Sequence, residues 1–278
     1  MFIVQHTPDS LAPAPDSAGE QTQQEGQHPT KDCPWPGVTN PMVAAPLALT
    51  GAAAGVDPTG AADDGRRIVK VCGMREAENI RAVEATGADW MGFIFCEASP
   101  RHVAAVPAYL PVHCQRVGVF VDAGIATIAA MQVAFGLDII QLHGHETPDF
   151  CAALRPALPE GTSLMKMLPV SSADDLGQTA AYDDVVDLYL LETKAKAAGM
   201  EHYGGSGQHF DWQLLRGYAS DHPFILSGGI RPEDATELAR LAHPKLLGFD
   251  LNSRFERQPA LKDAEKIKTF IHTLQSGQ

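Results

Sequence analysis

From residue 66 onward the chain alternates short apolar runs with longer mixed stretches. The runs are Ile68–Cys72, Trp90–Phe95, Arg116–Val121, Asp138–His143, Ser163–Leu168, Asp187–Thr193, Phe224–Ser227 and Lys245–Leu251. Several are almost unbroken Val, Ile, Leu and Phe, the pattern of strands covered on both faces. Helical spacing fills the gaps. Glu76–Thr86 places Ala77, Ile80 and Val83 on one face, with Gly87 as a stop. Pro232–Leu241 opens on a first-turn proline followed by Glu233 and Asp234, which suit the positive end of a helix. Leu261–Leu274 brings Ile267, Phe270, Ile271 and Leu274 into register.

Eight strand–helix units in about 210 residues predict a single (β/α)8 barrel at the short end of its range, spanning residues 66–278. A doubly wound open sheet is the rival. It favours a GxGxxG turn after its first strand, whereas this turn reads Cys72-Gly73-Met74-Arg75. Barrels carry their chemistry at the C-terminal ends of the strands.

Residues 1–65 have a different texture. They hold eight acids and one base, so 1 − 8 = −7 of the chain's net −13 falls there. They also hold nine of the 20 prolines and two aromatics, Phe2 and Trp35. Such a segment buries too little apolar surface to offset the entropy of ordering, so a disordered extension is expected. Its acidity is the reverse of a transit peptide, and Met1–Val4 is too short for a signal core. Met42 is an alternative start.

The acidic balance argues against a nucleic-acid partner. No apolar run is long enough to span a membrane. Five cysteines, at 33, 72, 96, 114 and 151, show no CxxC and suggest neither a disulfide framework nor a metal site. That usage fits a reducing, cytoplasmic compartment.

Four strand ends carry reactive groups. Cys72 closes the first strand just before a helix, where a thiol's pKa is lowered. Cys33, Cys96, Cys114 and Cys151 are read as inert. Arg101 follows Ser99-Pro100 after the second strand, and a guanidinium suits a planar carboxylate, although a lone arginine is more often a solvated surface group. Gln141 and His143 share one face of the fourth strand, either as ligand contacts or as a satisfied core pair. Glu192 ends the sixth strand after a run of apolar residues, a position suited to a general acid or to a carboxylate paired with a nearby base. Three turns could cradle an anion: Gly205, Ser206 and Gly207; Gly228 and Gly229; and Asn252 and Ser253 after Asp250.

The set Lys-Val-Cys-Gly, Gly-Phe-Ile-Phe, Ser-Pro-Arg, Gln-Leu-His-Gly, Leu-Leu-Glu-Thr-Lys, Gly-Gly-Ser-Gly-Gln-His-Phe-Asp-Trp, Ser-Gly-Gly and Asp-Leu-Asn-Ser-Arg-Phe-Glu resembles the phosphoribosylanthranilate isomerases of tryptophan biosynthesis over residues 67–274. The resemblance implies a cofactor-free Amadori rearrangement of N-(5-phosphoribosyl)anthranilate, a small phosphosugar, with no metal. It implies Cys72 as base, Glu192 as acid and Arg101 as holder of the anthranilate carboxylate. Gln141 and His143 belong to the same substrate site, Asp250 meets a sugar hydroxyl, and the three turns hold the phosphate. Monomer and homodimer both stay open.

Two positions depart from the family pattern. Glu192 stands where aspartate is usual, so the carboxyl reaches one methylene further. Ala260 stands where glycine is usual, with a local conformational effect expected. Three rivals remain. They are a Schiff-base aldolase using Lys166 or Lys194, a related isomerase of histidine biosynthesis with aspartate at the Cys72 position, and a phosphosugar-binding protein without turnover.

Overall fold

The computed structural model describes residues 66–193 and 212–277. Residues 1–65, for which a disordered extension is expected, lie outside them.

Eight parallel strands close into a barrel in sequence order. They are β1 (Ile68–Cys72), β2 (Trp90–Ile94), β3 (Gln115–Phe120), β4 (Ile139–Leu142), β5 (Ser163–Val170), β6 (Leu188–Thr193), β7 (Phe224–Ser227) and β8 (Leu246–Leu251). Closure pairs β1 with β8, with Ile68 opposite Gly248 and Lys70 opposite Asp250. Only glycine fits at 248, because a Cβ there would collide with the Ile68 backbone.

The barrel has two cores. The interior holds Cys72, Trp90, Val117, Val119, Ile139, Met165, Met167, Leu188, Leu190 and Ile225. A larger apolar layer lies between the strands and the outer helices. Period-two alternation therefore sends Lys70 with Cys72, Gln141 with Ile139, and Glu192 with Leu188 and Leu190 to the inward face.

The α-helices among the described residues are α1 (Ala77–Glu84), α2 (Ile125–Phe135), α3 (Pro148–Leu154), α4 (Ala235–Ala239) and α5 (Ala264–Ser276). Thr147 caps α3 by accepting from the Phe150 N–H, and Asp263 caps α5 by accepting from Lys266. In α5 the buried residues are Ile267, Phe270, Ile271 and Leu274, as the spacing predicts.

Not every unit carries an α-helix. No helix follows β2, where Pro100, Pro107 and Pro111 remove backbone donors and restrict the residues before them. A 3₁₀ segment, Ala173–Ala181, follows β5, and Pro232–Asp234 is 3₁₀ before α4. A short ribbon, β9 (Glu256–Gln258) with β10 (Leu261–Lys262), precedes α5. Its turn places Ala260 at φ 65° with its side chain buried. Glycine would adopt that left-handed conformation without the strain an alanine bears.

Candidate active site

A cavity of about 860 Å³ opens at the C-terminal ends of the strands. Every candidate residue in the described part lines it: Cys72, Arg101, Gln141, His143, Glu192, Gly228, Gly229, Asp250, Asn252 and Ser253. Gly205, Ser206 and Gly207 lie outside the described residues.

Cys72 is the last residue of β1 and is buried. The expected lowering of its pKa by a helix N-terminus is not found, because α1 begins only at Ala77. Burial pushes the thiol up, and the Lys70 and Lys262 ammonium groups, which pull it down, do not offset that. Its pKa therefore lies above the ordinary thiol value. The neighbouring strand presses close: a Cβ on Gly92 would stand 2.8 Å from Cys72 Sγ.

Two buried carboxylates organise this side. Asp250 accepts from Lys70 Nζ at 2.8 Å through Oδ1 and from Ser227 Oγ at 3.2 Å through Oδ2. Glu256 accepts from Arg101 Nε at 2.9 Å and Nη2 at 2.7 Å. Lys262 Nζ adds a bond to Glu256 Oε1 and another to Asn252 Oδ1, each 2.7 Å. Burial alone would raise Glu256, but Arg101 and Lys262 hold it below the ordinary carboxylate range. Arg101 is thus no solvated surface arginine. Glu256 occupies the Nε–Nη2 edge of its fork, which leaves the Nη1–Nη2 edge for a second planar carboxylate.

On the opposite side, Glu192 meets His143, with Nε2 to Oε2 at 3.5 Å. Gln141 Nε2 contacts His143 Nδ1 at 2.8 Å. With the amide donating, Nδ1 is the acceptor and the ring proton sits on Nε2, toward Glu192. Gln141 Oε1 is buried and has no hydrogen-bond partner. The pair is a polar group at the cavity wall and not a fully satisfied core couple.

Beneath His143, Lys166 Nζ donates to Glu146 Oε2 at 2.9 Å and to the Gly144 carbonyl at 2.7 Å. Glu146 in turn accepts from the Asp122 and Gly144 N–H groups. Lys166 is buried and ion-paired, so it is no free amine for a Schiff base. Lys194, the other aldolase candidate, lies outside the described residues.

After β7, Gly228 and Gly229 take φ 96° and 68°. Glycine is required at 228, since a Cβ would strike Thr193, whose Oγ1 donates to the Gly228 carbonyl. Ser253 begins a 3₁₀ turn after β8.

The sequence pattern did not point to Lys70, Lys262, Glu256 or Glu146 as parts of the site framework, and it pointed to Lys166 only as a nucleophile of the aldolase rival. Lys70 carried a signal, a lysine inside an apolar strand on the same face as Cys72. Glu256 and Lys262 carried none, because Arg101, which Glu256 grips, lies 155 residues away in the chain.

The model of the N-(5′-phosphoribosyl)anthranilate (PRA) isomerase family matches residues 69–273. An N-(5′-phosphoribosyl)anthranilate isomerase of Phocaeicola vulgatus is 46% identical over 207 residues, covering 74% of this chain and 97% of that protein. Among solved structures, a phosphoribosyl anthranilate isomerase in complex with reduced 1-(o-carboxyphenylamino)-1-deoxyribulose 5-phosphate is similar at 27% identity and a TM-score of 0.62, covering 76% of this chain and 99% of that one. Monomers of the dimeric enzyme of Thermotoga maritima are similar at 28% identity and a TM-score of 0.61, with the same two coverages.

Proposed function

The chain belongs to the N-(5′-phosphoribosyl)anthranilate isomerase family, and we propose that Cys72 and Glu192 are the base and acid of its reaction. It is an isomerase that converts N-(5-phosphoribosyl)anthranilate to 1-(2-carboxyphenylamino)-1-deoxyribulose 5-phosphate by an Amadori rearrangement in tryptophan biosynthesis.

Glu192 gives its proton to the furanose ring oxygen. The C1–O bond breaks, and the anilino nitrogen lone pair forms the Schiff base. The Cys72 thiolate takes the proton from C2. The C2–H pair becomes the C1–C2 double bond, and the imine pair returns to nitrogen. The enolamine then moves its hydroxyl proton to C1 and leaves the ketone. The reading is supported by one observation above others: Cys72 and Glu192 line the same cavity from non-adjacent strands. Arg101 takes the anthranilate carboxylate on its open edge. Gln141 and His143 flank the sugar beside Glu192, and Asp250 faces a sugar hydroxyl. Gly228, Gly229, Asn252 and Ser253 hold the phosphate together with Gly205, Ser206 and Gly207.

The decisive experiment is turnover of freshly generated N-(5-phosphoribosyl)anthranilate by the full chain, Cys72→Ser and Glu192→Gln. Each variant is expected to lose roughly 10²–10⁴-fold in kcat with an unchanged melting midpoint. Wild-type turnover in either variant reassigns that role.

We also propose that residues 66–278 are the whole catalytic unit. A chain beginning at Asp64 is expected to keep its melting midpoint and its turnover; a clearly lower midpoint refutes this.

A further inference from the structure

The charges beneath the Cys72 thiol do not balance. Lys70, two residues earlier on the same inward face of β1, is fully buried, with Nζ 2.8 Å from Asp250 Oδ1. Lys262 Nζ bonds Glu256 and Asn252, and Arg101 grips both oxygens of Glu256. The second group packs against Gly73, the residue after Cys72, where a Cβ would stand 2.7 Å from Arg101 Cδ and 3.3 Å from Asn252 Oδ1. Lys70, Lys262 and Arg101 contribute three positive charges, and Asp250 and Glu256 two negative ones. The cluster is therefore +1 while the thiol is neutral, and zero once it ionises. An uncompensated charge in a buried site is costly, and any group that cancels it is stabilised.

We infer that Lys70 and Lys262 are positioning residues for the Cys72 thiolate, which neutralises the surplus cation of this buried cluster. The inference rests on the reading of Cys72 as base and supplies what that reading lacks, a reason for a buried thiol to ionise. Burial pushes the thiol up and Asp250 adds to that, while Lys70 and Lys262 act against both. The reciprocal effect falls on the lysines. Burial works against each ammonium, and the Cys72 thiolate supports it, alongside Asp250 for Lys70 and Glu256 for Lys262. Glu192, His143 and Arg254 face the same cavity from β6, from the loop after β4 and from the turn after β8. Lys166 also lines it, but its charge is met by Glu146.

A bland alternative is that the lysines only fill space at the barrel seam. The two differ in sign. The rate of Cys72 alkylation by iodoacetamide, read on its own peptide by mass spectrometry, reports the thiolate fraction without substrate. An opposite charge within about 4–6 Å shifts a pKa by roughly one unit or more. Lys262→Met, which leaves Glu256 paired with Arg101, should therefore slow alkylation near pH 7.5 about tenfold. Lys262→Arg, which keeps the charge, should stay within about threefold of wild type. Glu256→Gln removes an anion and keeps the shape, so it should speed alkylation several-fold. Lys70→Met should move as Lys262→Met does, but the Lys262 and Glu256 variants decide the matter whether or not it folds. Rates that are unchanged, or that move the same way in Lys262→Met and Glu256→Gln, overturn the inference. Opposite shifts together with normal turnover by Cys72→Ser would uphold the cluster and refute Cys72 as the base.

Discussion

The two sides of the cavity mouth each rest on a buried ion pair, yet the pairs serve differently. Under Cys72 the pair is Lys70–Asp250, and Asp250 itself lines the cavity. Framework and chemistry there share the same atoms. Under Glu192 the pair is Lys166–Glu146; Lys166 reaches the cavity wall, and the pair holds the loop that carries His143. Among the described residues, His143 contacts Glu192 at 3.5 Å. On the base side the ion pair includes a candidate substrate contact, whereas on the acid side it supports the loop that carries His143.

The strongest test of that contrast is Lys166→Met. It strands the Glu146 carboxylate in a buried site and is expected to cost about 3–5 kcal/mol of stability. The shape of the pH–rate profile should survive in the folded fraction, as urea unfolding and turnover measured together would show. A profile that changes shape would mean the acid side is as fused as the base side.

Arg101→Ala comes next. A charge-assisted bond contributes roughly 1.5–3 kcal/mol, so KM should rise about tenfold to a hundredfold. Arg101→Lys should restore only part of this, because an ammonium cannot grip Glu256 and a substrate carboxylate as a fork. An unchanged KM in both variants would reduce Arg101 to a partner of Glu256.

The smallest effect is expected at Ala260. Ala260→Gly relieves the left-handed strain but gives up a buried methyl and adds freedom to the unfolded chain. These terms are each about 1 kcal/mol and opposed, so thermal denaturation should show a net change within about 1 kcal/mol and turnover should not move. A larger effect would tie the β9–β10 turn to the base-side cluster through Lys262.

What the sequence disclosed follows from periodicity. The strand Phe224–Ser227 was legible to the residue because its neighbours are Pro223 and Gly228. Cys72 and Glu192 were legible because they end apolar strands where a barrel carries its chemistry, and Gln141 because alternation puts it with His143 on one face of β4. The ribbon of Glu256 and Lys262 was not, since its strands are short and polar and its meaning comes from Arg101, far away in the chain. The thiol's pKa was misread for a related reason. The depth of burial is a tertiary fact, and it outweighs a helix end four residues away.

The pairing of β1 with β8 also has a consequence for how activity is acquired. Lys70 and Asp250 lie 180 residues apart, so the barrel's longest loop closure must be complete before the cation beside Cys72 has its partner. A chain that had assembled most of its strands in order would still hold a thiol with no counter-ion network and a cavity open along one seam. Catalysis in this protein thus requires the pairing that closes the sheet, so turnover during refolding should report closure of the barrel rather than the growth of secondary structure.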